Sequence, residues 1–407
     1  MANKSLSFTD PAVLLDPYPA LARLREHSPV YWADDVRAWV ITRYTDVVNL
    51  FREPRLSANR IPVMAHQILQ GGDTAPIKDY LRVTNDMMLM KDGTDHHRLR
   101  VLGNRGFTPS ALAEWAPRVK KVIDELLEKI PTHGRFDLVT DLAEPMPATV
   151  IAEMFDIPKA DHNKFRQWAD DQARFFGGTV RDPLADGMAA NESALQLESY
   201  FLKLHEQRRL KPGKDLMSLF ISAEEAGRLT VSEVINQCQL ILIAGHVTTI
   251  DQLSNGVYAL LQHEGQWEKL AKSPELVRSA VEEMIRYDSA VTLVMRVATA
   301  DIDLHGHSIK AGQLVFLALA AANRDPDVFA DPDRFDITRT TTKHIGFGAS
   351  QHQCLGMSLA RTELESALHA LLSRFPKLGL DPERPAVRKC ESLTFRGFSS
   401  LPLRFDN

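Results

Sequence analysis

From Val231 to about His263 the chain carries no proline, and Thr230 with Glu233 three residues later forms a capping box at the start of that run. The pattern predicts one helix of roughly 32 residues, about 48 Å long, enough to cross a whole domain. Its middle, "QLILIAGHVTTIDQL", is largely apolar, so the helix is expected in the interior. Gly245, His246, Thr248 and Thr249 interrupt that apolar stretch with a soft spot and hydroxyls. A fold wrapped around such a rod is mainly helical.

The flanking segments agree. Thr108 caps a helix that opens at Pro109 and carries Trp115, Val119, Val122, Leu126 and Ile130 on one stripe. "PVYWAD" and "AWVITRY" read as a strand hairpin, and "VMRVATADIDLHGHSIKAGQLVFLAL" has strand periodicity with turns at His305-Gly306 and Ala311-Gly312. Short strands recur in "LTFRGFSSLPLRF". No repeat, low-complexity tract or linker divides the chain, so residues 1–407 are expected to form a single domain, mainly α with small β-sheets at one side.

Composition excludes several classes. A net charge of −5 gives no reason to expect nucleic acid. No apolar run approaches the roughly 20 residues that cross a bilayer, and "MANKSLSFTDPAVLLDPYP" lacks the order of a signal peptide, which points to a cytoplasmic protein with no membrane partner. Cys238, Cys354 and Cys390 are too few and too scattered for a disulfide framework or a zinc site.

Cys354 lies in "FGASQHQCLGMSLARTELESALHALL", a loop feeding an amphipathic helix. Backbone N–H groups at a helix N-terminus favour a thiolate, Phe347 can cover the sulfur, and Gly348 and Gly356 permit a tight backbone. A lone cysteine is commonly just a small buried hydrophobe. Here the surroundings say otherwise: the loop resembles the haem-binding loop of the cytochrome P-450 family, F-G-x-G-x-H-x-C-x-G, through Phe347, Gly348, His352, Cys354 and Gly356. Ser350 stands where the family usually has its second glycine, a departure that bears on the peptide beside the haem.

Further motifs follow in the family's order, so the resemblance runs from about residue 17 to the end. Glu283 and Arg286 in "EEMIR" share a helix face and match the family's E-x-x-R pair; Arg334 in "DPDRFD" is expected to complete its buried Glu-Arg-Arg network. "DGTDHHRLRVLGNRGFTP" resembles the family's propionate-binding segment, which matches His96 and Arg100 to the haem propionates, with Arg296 and His352 completing the set. The resemblance implies the cytochrome P-450 fold with its long central helix over the haem, haem b (iron protoporphyrin IX) with Cys354 as the iron ligand, and electrons from NAD(P)H through a ferredoxin and its reductase. Arg98, Arg100 and Arg105 are expected to steer that donor.

By the same resemblance, Ala244-Gly245-His246-Val247-Thr248-Thr249 crosses the distal face of the haem, with Thr248 as the oxygen-stabilising hydroxyl. Val247 departs from the pattern, since most relatives hold an acid there to relay protons. Water with Thr248, Asp251 one turn on, or His246 are the stand-ins, unless the reaction dispenses with the usual protons. Matching positions put Ile243, Ala244, Val247 and Thr248 in the pocket wall, with Ala290, Val291, Thr292, Leu293 and Val294 and then Leu393, Thr394 and Phe395. Arg60, on a segment read as an exposed mobile loop, is a candidate carboxylate partner. The expected function is a monooxygenase acting on a moderately sized organic substrate in natural-product biosynthesis. The alternatives are an atypical oxidation on the same scaffold (phenol coupling, desaturation, nitration or a peroxide-driven reaction) and a haem-thiolate sensor without turnover.

Overall fold

The computed structural model describes residues 6–69, 71–131, 134–340 and 343–405, so the first five residues of the stretch tested for a signal peptide lie outside it. The long helix spans Val231–Gln262, opened by the Thr230–Glu233 capping box in both directions. It is buried over most of its length, including Asn236, Gln239, His246, Asp251 and Asn255, so the polar side chains on it face protein.

Other helices pack around this rod. Phe165, Ala169 and Ala173 anchor His162–Phe176, and Pro145–Met154 is buried through Met146, Val150 and Ile151. Gly245 is where the approach is tightest: a Cβ there would stand 2.8 Å from Ile151 Cδ1, so glycine lets the two helices close up. The helix from Thr108 runs Pro109–Leu127, with Trp115, Val119 and Val122 buried as the stripe predicts; Ile130 is buried beyond its end. Val277–Tyr287 and Met357–Arg374 complete the set that matters for the site.

The hairpin strands Val30–Ala33 and Ala38–Ile41 pair antiparallel, as read from the alternation. They belong to a five-stranded sheet, because Ala38–Ile41 runs parallel to Leu314–Leu317. Leu314–Leu317 pairs with Val294–Ala298, which in turn holds the short strand Leu56–Ser57. That pairing joins the beginning of the chain to the segment just after the E-x-x-R helix. It sets Ser57 opposite Val297, the neighbour of Arg296.

Candidate active site

One slot passes between the central helix and the cysteine loop. Its walls include Ala244, Gly245 and Thr248 from the helix, Phe347, Gly348, Cys354 and Gly356 from the loop, and His96, Arg100, Arg296 and His352 at its edge. All ten residues expected to hold the cofactor therefore line a single space.

The loop is shaped locally. Cys354 donates its N–H to Phe347 O at 2.9 Å, closing the turn, and Gly348 takes φ of +70°, a conformation suited to glycine. Ser350 takes φ of +62°, which explains why glycine is the usual choice at this position and shows that serine can follow the same path at a strain cost. Gly356, by contrast, has ordinary φ and open space where a Cβ would stand. Arg361 lies 4.8 Å from the Phe347 ring centroid and is held by Glu282.

Cys354 presents its thiol surface to the slot while the protein surrounds it closely. Burial raises the thiol above its ordinary range, and the Gly356 N–H and the Arg100 charge pull it back. A coordinated metal would favour the thiolate outright. The slot's edge is cationic: Arg296 is 4% exposed and donates only to the carbonyl of Met295, and Arg100 donates to Gln353 O at 2.6 Å. Neither guanidinium has a carboxylate within ion-pairing distance among the described residues. The His96 and His352 rings meet at a tilt of 41° with centroids 4.0 Å apart, and His352 Nε2 is buried without a well-formed hydrogen bond. A flat apolar group bearing two carboxylates, with a metal above Cys354, fits these donors, and haem is such a group.

The family model for Cytochrome P450 matches residues 62–402. The chain belongs to the cytochrome P450 family. It is 35% identical over 396 residues to the biotin biosynthesis cytochrome P450 of Bacillus subtilis (strain 168), covering 97% of both chains. It is 34% identical over 396 residues to the polyketide biosynthesis cytochrome P450 PksS of the same organism, covering 95% of each. The structure of P450BioI in complex with an acyl carrier protein ligated to hexadec-9Z-enoic acid superposes with a TM-score of 0.88 at 34% identity, covering 97% of this chain and 100% of that one. As a cytochrome P450 the chain is an oxidoreductase of the monooxygenase type, and haem is its cofactor.

The distal wall departs from expectation at three places. Ile243, Ala244, Thr248, Ala290, Val291, Leu293, Val294, Thr394 and Phe395 line the slot; Val247, Thr292 and Leu393 do not, Leu393 packing instead beside Gly178. Thr292 is turned into a backbone stitch: its Oγ1 donates to Thr394 O at 3.0 Å and its N–H bonds the same carbonyl at 2.9 Å. Val247 is half-buried beside the slot, not in it. Thr248 Oγ1 donates to Ala244 O at 2.7 Å, the i−4 bond expected of a helical threonine.

His246 and Asp251 also sit outside the slot, buried. His246 Nε2 is 3.1 Å from Asp170 Oδ1 on helix His162–Phe176. Asp251 accepts from Lys389 Nζ at 2.8 Å, and its Oδ2 has no hydrogen-bond partner. Burial raises the Asp251 carboxyl above its usual range, with Lys389 acting against the rise.

Glu283 and Arg286 form a buried two-point ion pair at 2.7 and 2.8 Å. The third member is Arg339, not Arg334: Arg339 Nε approaches Glu283 Oε2 at 3.2 Å, whereas the Arg334 side chain is 68% exposed and pairs with Asp336. Arg334 contributes its carbonyl alone, accepting from Arg286 and Arg339. Asn323, unremarked in the sequence, connects this network to the cysteine loop: its carbonyl accepts from Arg286 Nη1 at 3.0 Å and its Oδ1 accepts from Ile345 N at 2.7 Å. Glu363 is another residue the sequence did not mark: it lines the slot from helix Met357–Arg374, its Oε1 has no partner, and burial lifts its carboxyl to about 8.

Proposed function

We propose that this chain oxidises a moderately sized, largely apolar organic molecule in the biosynthesis of a specialised metabolite, as one cytochrome P450 domain spanning its 407 residues. The observation that carries this reading is the single slot in which Cys354 and Thr248 face a common space walled by Ile243, Ala290, Leu293, Val294 and Phe395. The biosynthetic setting is supported by the relatives named for biotin and polyketide biosynthesis. A threonine facing that space, with room for an apolar guest, supports turnover over a sensor that only binds haem. The small molecule is the expected partner; neither nucleic acid nor membrane is, and no helix among the described residues is long and apolar enough to cross a bilayer.

Cys354 is the proposed iron ligand, with His96, Arg100, Arg296 and His352 holding the propionates. Haem b, when bound, supplies dioxygen activation, using electrons from NAD(P)H through a ferredoxin and its reductase. The dependence on NAD(P)H supports a cytoplasmic setting. Phe347 covers the sulfur side and the Gly356 N–H softens the thiolate's charge. On the distal side, Thr248 is free to turn its hydroxyl from Ala244 O toward the slot.

Val247 cannot carry a proton, so delivery is proposed to run through Asp251. Lys389 is about one-third exposed and can exchange with solvent, and it bonds Asp251, three residues after Thr248 on the helix, whose Oδ2 has no partner. His246 is shielded in a contact with Asp170 and is the lesser route. The decisive test is the reduced protein exposed to carbon monoxide, which should show the red-shifted Soret band of a thiolate-ligated haem. Cys354→Ala should lose that band; its survival would overturn the ligand.

A further inference from the structure

Arg60 is not on an exposed loop. It stands at the start of helix Ile61–Ile68, is 6% exposed, and turns its guanidinium into the roof of the slot. Its polar contacts among the described residues are Ala58 O at 3.1 Å and Met90 Sδ at 3.4 Å, both through Nη1. The Phe176 ring lies under it, 5.3 Å from the guanidinium carbon to the ring centroid. No carboxylate among the described residues comes within ion-pairing distance, and burial with the neighbouring Arg296 charge lowers the guanidinium to about 9. A buried cation without an anion is expensive to keep.

Two hydroxyls beside it are in a similar position. Tyr80 and Thr84 sit one turn apart on helix Lys78–Asn85, 1% and 2% exposed, and both line the slot. The two hydroxyls approach each other, but neither Tyr80 Oη nor Thr84 Oγ1 makes a well-formed hydrogen bond. Beside the apolar Leu293, Met295 and Phe176, one guanidinium and two hydroxyls supply the donors that a carboxylate accepts.

The anion has two possible sources, a haem propionate or the substrate. The ring contacts separate them. Arg296 lies over Phe51, whose ring touches the space beside Gly348 in the cysteine loop, so Arg296 belongs to the propionate edge. Arg60 is close enough to feel the charges of Arg296 and His352 at that edge, but its guanidinium lies against Phe176, which stacks on Phe395 at 6.4 Å on the distal side. We propose that Arg60, assisted by Tyr80 Oη and Thr84 Oγ1, anchors the carboxylate of an otherwise apolar substrate, an acid such as an aliphatic monocarboxylate. The proposal rests on reading the slot as the substrate chamber above haem. With the carboxylate fixed at the roof, the carbon facing Thr248 is one distant from the acid group.

Soret titrations of the haem-loaded protein test this without turnover. The probes are straight-chain acids from octanoic to hexadecanoic and the matching 1-alkanols. The parent should bind the best acid about tenfold to a hundredfold more tightly than its alcohol, the range of a charge-assisted hydrogen bond. Arg60→Met should erase that preference while leaving the alcohol within about threefold, Arg60→Lys should restore part of it, and Tyr80→Phe should reduce it. Equal affinity of the parent for acid and alcohol, or no acid binding at all, overturns the proposal. If Arg60 serves a propionate instead, Arg60→Met should speed haem loss to apomyoglobin and weaken acid and alcohol alike, which also overturns it. The carbon monoxide band of the parent stands apart from these outcomes: its absence would sink the haem-thiolate reading, and its presence with no acid preference would sink only the role of Arg60.

Discussion

Two single residues near the cysteine carry a measurable cost, Ser350 as a departure from the family pattern and Glu363 as a buried acid. Ser350 holds φ of +62° in the cysteine loop, where a side chain costs about 1–2 kcal/mol relative to the relaxed backbone. Ser350→Gly removes that strain but adds about 0.5–1 kcal/mol of chain entropy to lose on folding. The balance predicts a gain of up to about 1 kcal/mol in urea denaturation with the thiolate band unchanged. Glu363 works in the opposite sense. Its carboxyl ionises near 4.5 in the unfolded chain and near 8 in the folded one, so between those values the unfolded state has released a proton that the folded state retains. Stability therefore falls as pH rises through that window and levels off above it. Glu363→Gln should flatten the fall and stabilise the protein at pH 8 by about 1–2 kcal/mol, read from denaturation midpoints at pH 5 and pH 8. An equal pH slope in parent and variant would show that Glu363 is not the group responsible. This buried acid is not legible in the sequence, because a glutamate on an amphipathic helix is ordinarily solvated and only the three-dimensional packing turns it inward.

At the scale of the element, the central helix was legible nearly to its ends: a proline-free run and a capping box suffice to specify Val231–Gln262. What faces what along it was less so. Val247 was expected in the pocket wall and lies beside it; Asp251 was expected on a shared face with Thr248, and Lys389, from a strand region 138 residues away, was invisible to helical periodicity. The same limit applies to Arg339. Its register with Glu283 depends on how a proline-rich meander folds back, which local spacing does not fix, whereas the Glu283–Arg286 pair needs only one helix turn. The helix also bears the proton-delivery prediction. Asp251→Asn should slow coupled product formation by about a hundredfold or more and enlarge the solvent isotope effect. Val247→Glu should retain haem and preserve or raise the coupling of NAD(P)H to product. If the valine protects an unusual reaction, the glutamate should change product identity; if it only shapes the space near the slot, affinity should fall with products unchanged. Unchanged products, coupling and affinity in both variants would remove any special role for this stretch.

For the whole molecule, the mainly helical class and the hairpin could be read from patterning, but the five-stranded sheet could not, because its parallel pairing of Ala38–Ile41 with Leu314–Leu317 spans most of the chain. That sheet and the central helix leave the cysteine loop near one surface, where an electron donor is proposed to dock. The net charge of −5 would repel an acidic ferredoxin, so approach needs a local basic patch. Of the three arginines considered for it, Arg98 is engaged by Glu233 and Arg100 bonds Gln353 O inside the loop, which leaves Arg105 exposed. Its neighbour Gly103 packs on Leu355, one residue past Cys354, so Arg105 stands at the border of the loop. Electron transfer from an acidic ferredoxin should then slow as salt rises from about 0.01 M to 0.15 M, where the screening length shrinks from about 30 Å to about 8 Å. Arg105→Glu should slow it severalfold at low salt and flatten the salt dependence, with the carbon monoxide band unchanged, because the substitution touches the encounter and not the haem. A rate indifferent to both salt and Arg105 would place the donor on another face.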